Sequence, residues 1–149
     1  MPAISRKRPA IHTYGELEKT LSASGILKSW RGRSQSSRIR SRVGHAADIW
    51  DLAASGNAEA KRILKQRAAI VADVILDLAL ILNPSLILLG GEVGNHPVLL
   101  RELETLLEGS EFPVVRVALG ILGSSAVLWG AVCTAIEPAI HGLLTQFSA

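Results

Sequence analysis

Two adjacent glycines, Gly90 and Gly91, stand where this sequence could bind a ligand. They follow the apolar run Leu86–Leu89, which predicts a short strand buried on both faces, as in a parallel sheet. Ligands bind at the carboxyl ends of such strands, because backbone N–H groups face the cleft there. A tight strand-to-helix turn with no ligand explains the same glycines. From the residues alone, both interpretations stay open.

The other reactive side chains form no catalytic or metal-binding pattern. Glu16 and Glu18 have no partner carboxylate for acid–base chemistry, and the helix dipole favours an acid in a first helical turn. The four histidines, at positions 12, 45, 96 and 141, follow no HxxxH or HxxE spacing. Cys133 lies among apolar residues and is predicted to be an inert core side chain. We therefore predict no catalytic residue and no metal ligand.

Arginines cluster after the first predicted helix. Five of them lie within twelve residues: Arg31, Arg33, Arg38, Arg40 and Arg42. Such a cluster can bind the phosphates of a nucleic acid without reading its sequence. However, no aromatic residue is interleaved after Trp30, and no helix-turn-helix pattern is present. The pattern favours a solvated Arg/Ser-rich loop over residues 31–44, with nucleic-acid binding as the less favoured alternative.

The charge of the chain is divided along its length. The whole chain of 149 residues has a net charge of +3 and is 48% hydrophobic, which suits a globular core and excludes a disordered chain. Residues 1–45 hold ten Lys and Arg against two acids, whereas residues 46–149 hold six against eleven. We expect residues 1–13 to be a basic, mobile lead-in and residues 14–149 to form the fold.

We expect neither a secretory signal nor a membrane span. No apolar run follows the basic residues near the N-terminus. The most apolar window, Val71–Leu89, contains Asp73 and Asp77 and the helix-stopping pair Asn83-Pro84, which a membrane span would not tolerate. A single cysteine also excludes a disulfide within the chain and suits a reducing compartment. We therefore predict a cytoplasmic protein.

Hydrophobic periodicity predicts the element order α-α-α-β-α-β-α. Helices are predicted over about 14–30, 45–54 and 57–82, from 97 to 109, and from 124 until Pro138 bends or ends the last one. Strands over 86–89 and 113–118 would form a right-handed βαβ unit. Trp50 and Trp129 are predicted to be packing anchors, and Gly130-Ala131 a close helix-packing point. Two strands are few for so much helical apolar surface, which indicates that sheet strands are missing.

Four segments, in register, resemble one known family. Asn83–Val93 resembles the "lnPe-ivlgGgv" segment of the ROK family (repressors, open reading frames and sugar kinases). Ala53–Ala60 resembles its "a-xGd-xA" helix start, and Leu122–Ala131 its "lg-xxAxlxGA" ending. Gly15–Glu18, followed by Ser22, resembles "GC-lE-xxxS". The resemblance spans about residues 14–136 and covers only the C-terminal portion of the family's chains.

The resemblance implies a fold and candidate ligands. The fold would be α/β: part of an actin/hexokinase-like (ribonuclease H-like) ATPase lobe, helix-rich, with a βαβ unit. Gly90 and Gly91 would contact the nucleotide, and Glu18 would contact a sugar. The full family fold uses ATP and Mg²⁺, but none is expected for this chain alone, since the "DxGGT", "ND-xN" and "ExGH" motifs are absent. Glu16 replaces the last cysteine of the family's zinc motif, so no zinc is expected there.

These observations lead to one main hypothesis and two alternatives. The main one is a truncated ROK protein, derived from a sugar kinase or a sugar-responsive transcriptional repressor, that is not catalytic alone. The first alternative is a binding or assembly module that forms a homo-oligomer through exposed apolar faces. The second is nucleic-acid binding through the basic head.

Overall fold

The computed structural model describes residues 15–33, 43–109 and 115–146. Two parallel strands are described, β1 (Leu86–Leu89) and β2 (Arg116–Leu119), and a 3₁₀ turn over Gly123–Ser125. The α-helices are α1 (Glu16–Leu21), α2 (Ala23–Arg33), α3 (Ala46–Ala54), α4 (Ala58–Leu82), α5 (Gly91–Gly94), α6 (Pro97–Glu108) and α7 (Ala126–Gln146). The predicted lead-in over residues 1–13 and most of the predicted Arg/Ser-rich loop lie outside the described residues.

The long helix α4 forms as its sequence predicts. Asn57 caps its N-terminus, with its side-chain oxygen accepting a hydrogen bond from the Ala60 N–H at 2.9 Å, which satisfies one of the first-turn donors. Asn83 ends it in the left-handed conformation at φ 45°, and Pro84 prevents its continuation. Its buried residues follow a spacing of three and four: Ala60, Ile63, Leu64, Ala68, Ala72 and Ile75.

The core is built from helices α2, α3, α4 and α6. Its largest fully buried side chains are Trp30, Trp50, Ile26, Ile49, Ile63 and Leu103. Trp50 is 0% exposed, so its predicted role as a packing anchor is confirmed. Burying aliphatic and indole surface of this size is the main favourable term in folding. The helices therefore supply most of the stability, and the sheet lies at the edge of their core.

The sheet is parallel, with α6 as the crossover helix between its strands. Leu86 pairs with Arg116 and Leu89 with Leu119, so the predicted parallel βαβ order is confirmed, while the right-handed crossover stays a prediction. The prediction that β1 is buried on both faces is wrong: Leu86 is 41% and Leu88 61% exposed. Alternate residues of a strand point to opposite faces, and only the face of Ile87 and Leu89 packs on the helical core.

The first predicted helix is two helices. The chain leaves the helical conformation at Ser22, with φ −65° and ψ 157°, and α2 then folds back tightly on α1. An ideal Cβ at Gly25 would lie 1.9 Å from the backbone oxygen of Lys19, so only glycine fits this approach. Helix α2 continues to Arg33, so the first residues of the predicted loop are helical. The short helix α5 was not predicted at all.

The last helix, α7, corrects three predictions. None of its described side chains is buried, because it does not pack against the helical core. Cys133 is exposed rather than inert core, and Trp129 is 55% exposed rather than an anchor. A Cβ at Gly130 would meet nothing within 4 Å, so no close packing occurs there. The helix continues through Pro138 to Gln146, so Pro138 does not end it, and a bend at Pro138 stays a prediction. Among the described residues, no helix is long and apolar enough to cross a membrane.

Candidate functional site

A cavity of about 380 Å³ lies where β1 ends. One wall is the Gly90–Gly94 segment, a second is the Leu21–Ala23 turn with Ile26, and α4 contributes Arg67 and Val71. Most of the lining surface is apolar, and the charged side chains that line it are Arg67 and Glu92. This is the size and character of a pocket for a small organic molecule, which needs a few polar groups in an apolar setting.

The glycine pair sits at this cavity in the position predicted from the sequence. Gly90 is extended, whereas Gly91 begins α5 at φ +74°, a conformation that costs other residues energy. Steric crowding does not require glycine at either position, since a Cβ there would meet nothing within 4 Å. The Gly90–Gly94 segment, which includes α5, is called the glycine loop below. Trp50 holds it in place, since its Nε1 donates a hydrogen bond to the Val93 carbonyl at 3.1 Å. Ligand contact by Gly90 and Gly91 stays a prediction.

Glu18 lies beside this cavity but does not line it. Its side chain is exposed on α1, and its carbonyl accepts a hydrogen bond from the Ser22 N–H at 2.8 Å. Leu21 and Ser22, one turn later, line the cavity. The structure therefore brings the α1–α2 turn and the glycine loop together, while the Glu18 carboxylate faces solvent. A sugar contact at Glu18 stays a prediction.

Arg67 is the residue of this site that sequence analysis missed. It is partly buried in α4, its Nη2 donates to the Ser29 hydroxyl, and its Nε is buried with no hydrogen-bond partner in the described residues. Burial, and then the nearby positive charge of Arg33, lower the pKa of the Arg67 guanidinium. One signal was present: Arg67 follows Ile63 by four residues and precedes Val71 by four, which places it on the apolar face.

Two histidines brace the glycine loop and the start of α6. His45 Nδ1 lies 3.4 Å from Glu92 Oε1. His96, whose side chain is 15% exposed, lies 3.3 Å from Asp51 through Nε2 and accepts a hydrogen bond from the Val98 N–H through Nδ1. His96 caps the start of α6, and each histidine contacts an acid on another element, so the two rings do not converge on one site. Within the described ranges, no three His, Cys, Asp or Glu side chains are placed to hold a metal ion.

Two of the five clustered arginines lie in the described residues. Arg31 and Arg33 lie exposed in the last turn of α2, and Arg33 Nη1 donates to Gln66 Oε1 at 3.2 Å. Arg38, Arg40 and Arg42 lie outside the described residues. The expectation that this segment does not serve nucleic acid stays a prediction.

Fold and cavity together define a helix-rich α/β protein with a cavity at the end of a parallel strand. The ROK family model matches residues 13–137, and the chain therefore belongs to the ROK family. The predicted resemblance is confirmed over nearly the same residues. A search of curated protein sequences found no match.

A solved structure supports the fold. The chain is similar to a ROK family protein from Streptococcus pneumoniae TIGR4, whose crystal structure was determined in complex with sucrose. The TM-score is 0.67 at 16% sequence identity, and the match covers 91% of this chain and 47% of the other. The chain thus spans about half the length of that protein.

Proposed function

We propose that this chain provides a ligand-binding part of a ROK-type sugar kinase or sugar-responsive repressor, within an actin/hexokinase-like lobe. The observation that carries the proposal is the cavity at the carboxyl end of β1, with Gly90–Gly94 as one wall. In α/β sheets, this is where backbone N–H groups and a strand end meet a bound ligand. Membership of the ROK family supports the same assignment.

The ligand that fits this cavity best is an adenine nucleotide. The faces of its flat aromatic base suit the aliphatic lining around Ile26, Val71 and Leu99. The glycine loop lets the ligand approach the backbone closely. The exposed carboxylate of Glu18 is free to accept hydrogen bonds from sugar hydroxyls beside the cavity. The sucrose bound to the Streptococcus pneumoniae protein supports a sugar as the second ligand.

We further propose that the 149-residue chain binds without transferring phosphate. Phosphoryl transfer requires a base, the phosphates and Mg²⁺ to be held in line. The sequence contains neither the "DxGGT" phosphate loop nor the "ND-xN" aspartate segment. Glu92 is the acidic residue that lines the cavity, and its Oε1 lies 3.4 Å from His45 Nδ1. The chain therefore supplies a binding surface without the groups that phosphoryl transfer needs.

Nucleotide binding is tested by straining the glycine loop. We expect ADP to quench or shift the intrinsic tryptophan fluorescence of the chain in a saturable way, because one of its three tryptophans, Trp50, lines the cavity. Gly91→Val forces a branched side chain into φ +74° and should weaken ADP binding about tenfold or more, since strain of 1–3 kcal/mol displaces the loop. Gly56→Val is the matched control, because φ is +99° there and Gly56 lies outside the cavity.

Two results would contradict this proposal. One is the absence of saturable ADP binding to the folded chain, and the other is equal weakening by Gly91→Val and Gly56→Val. A coupled assay with ATP and a panel of hexoses tests the second half of the proposal. We expect no ADP release above the rate without protein, and sugar-dependent turnover would refute the absence of phosphate transfer.

An exposed apolar surface favours a second candidate function, assembly with another copy of the chain. Fourteen large apolar side chains in the described residues are at least 38% exposed. They lie on the end of α4, the outer face of β1, the turn after β2 and α7, and include Leu80, Leu88 and Leu128. Soluble monomers rarely leave so much apolar surface in water.

Light scattering after size exclusion tests the assembly. We expect the chain to elute as a dimer or larger species, and Leu88→Glu or Leu128→Glu to shift it to a monomer, because a buried carboxylate at an apolar interface is costly. Ala69→Glu is the control, since Ala69 is exposed on α4 outside this surface. A wild-type chain that stays monomeric at its highest soluble concentration would rule out self-assembly.

A further inference from the structure

The Arg67 guanidinium carries a positive charge that no carboxylate in the described residues neutralises. Its hydrogen-bond partner is Ser29. The Ser29 hydroxyl in turn donates to the Gly25 carbonyl at 3.0 Å, so its single proton is already used. Ser29 can therefore satisfy one N–H of Arg67 but cannot balance its charge. The buried Nε has no partner in the same part of the chain.

The surroundings of Arg67 add positive charge. Arg33, on the facing helix α2, repels it, and Gln66 rather than a carboxylate binds Arg33. Glu92 lines the same cavity but lies beside His45. Of the thirteen acids in the sequence, only Glu111 lies outside the described residues.

A partly buried guanidinium with no carboxylate partner, and with a buried Nε that has no hydrogen-bond partner in the described residues, is costly in the free protein. Removing a charged donor from water without a compensating partner destabilises the folded state. A planar guanidinium matches the two oxygens of a carboxylate or phosphate, and such charge-assisted bonds are the strongest hydrogen bonds proteins make. The aliphatic lining, with Leu21, Val71 and Leu99, suits an apolar body attached to that oxyanion rather than a fully hydrated ion.

We propose that this cavity binds an organic anion whose phosphate or carboxylate group is held by Arg67. This proposal rests on the proposed function for the location of the site. It adds that the anionic group of the ligand binds to α4 and not to the glycine loop alone. The cavity of about 380 Å³ limits the ligand to a small molecule, since pockets of this size hold metabolites and not macromolecular surfaces.

The oxyanion site is tested with small probes, independently of any nucleotide. Inorganic phosphate and acetate are titrated separately against chloride at matched ionic strength, while NMR follows the Arg67 Nε–H and the Trp50 indole N–H. We expect at least one oxyanion to shift both signals saturably and chloride to shift neither. Arg67→Gln should weaken that binding about tenfold or more. Arg31→Gln is the matched control, because Arg31 is exposed on α2 and does not line the cavity.

The outcomes separate this inference from the proposed function. Equal shifts with chloride and with both oxyanions, or unchanged affinity in Arg67→Gln, would overturn the role of Arg67. If ADP binds no more tightly than adenosine and Arg67→Gln changes neither, the nucleotide site stands and Arg67 is not its anchor. If phosphate binding depends on Arg67 but ADP does not bind, the anion site stands and the nucleotide proposal fails. Arg67→Met, which keeps an apolar stem, replaces Arg67→Gln should that variant not fold.

Discussion

Replacing Trp50 with alanine will lower the free energy of unfolding by about 3–5 kcal/mol, the range for deleting a large aromatic side chain from a packed core. Trp50 is fully buried, so its removal leaves a void that the surrounding helices cannot fill completely. It also removes the donor to the Val93 carbonyl. Urea unfolding followed by circular dichroism measures the loss.

Trp50→Phe separates the two contributions. Phenylalanine fills most of the space and leaves only the Val93 carbonyl without its donor, so we expect a smaller loss than in Trp50→Ala. Because Trp50 fixes the Gly91–Gly94 segment, the alanine variant should also loosen that wall of the cavity. A loss below about 1 kcal/mol in Trp50→Ala would contradict the burial of Trp50 in the helical core, since a loss of that size is ordinary for any substitution.

Leu103→Ala is expected to cost about 2–5 kcal/mol, as buried leucine truncations do. Leu103 is 0% exposed in α6, the crossover helix that joins the two strands. The same substitution at Leu88, which is 61% exposed on β1, should cost about 1 kcal/mol or less, mostly through reduced strand propensity. Urea titration of both variants at one low protein concentration makes the comparison direct.

The Leu88→Ala control also reports on the outer face of β1. Similar large losses in both variants would mean that Leu88 is covered in solution, contrary to its exposure in the single chain. A large loss only in Leu103→Ala would place the stability in the helical core. A small loss in both would contradict the burial of Leu103.

Short sequence signals predicted both ends of α4 and the start of α6, because capping residues set these limits. Asn57 and Asn83 mark the two ends of α4 because one caps the first turn and the other adopts the left-handed conformation. His96 and Pro97 mark the start of α6 for the same kind of reason, with His96 accepting a hydrogen bond from the Val98 N–H. Such signals act within a few residues, so a single sequence contains them.

Burial could not be predicted in the same way, because it depends on what lies against a surface. The apolar residues of α7, Leu128 and Ile136 among them, follow helical spacing, which predicted a core position for Cys133. They are exposed because no described element covers them. Arg67 was missed for a related reason: its spacing from Ile63 places it on the apolar face of α4, but only the packing of α2 on α4 makes it partly buried.

The candidate site was predicted in part. The position of Gly90 and Gly91 follows from the apolar run before them, and the structure puts a cavity there. The contribution of Ser22 and Arg67 depended on two features that no local pattern contains: the break between α1 and α2, and the packing of α2 on α4. Tertiary contacts of this kind bring distant residues together without leaving a short-range signal.

The tight turn between α1 and α2 also limits how this sequence can evolve. Every residue type other than glycine carries a Cβ, and at position 25 that atom would lie 1.9 Å from one backbone oxygen, Lys19 O, and 3.1 Å from another, Thr20 O. Backbone atoms cannot move aside as a flexible side chain can, so every missense mutation of this codon disrupts the turn. The neighbouring Ser24 is exposed, and its side chain makes one hydrogen bond, to the Ser22 hydroxyl at 3.0 Å. Lineages that keep this cavity wall must therefore retain Gly25, while the codon beside it is under a weaker constraint.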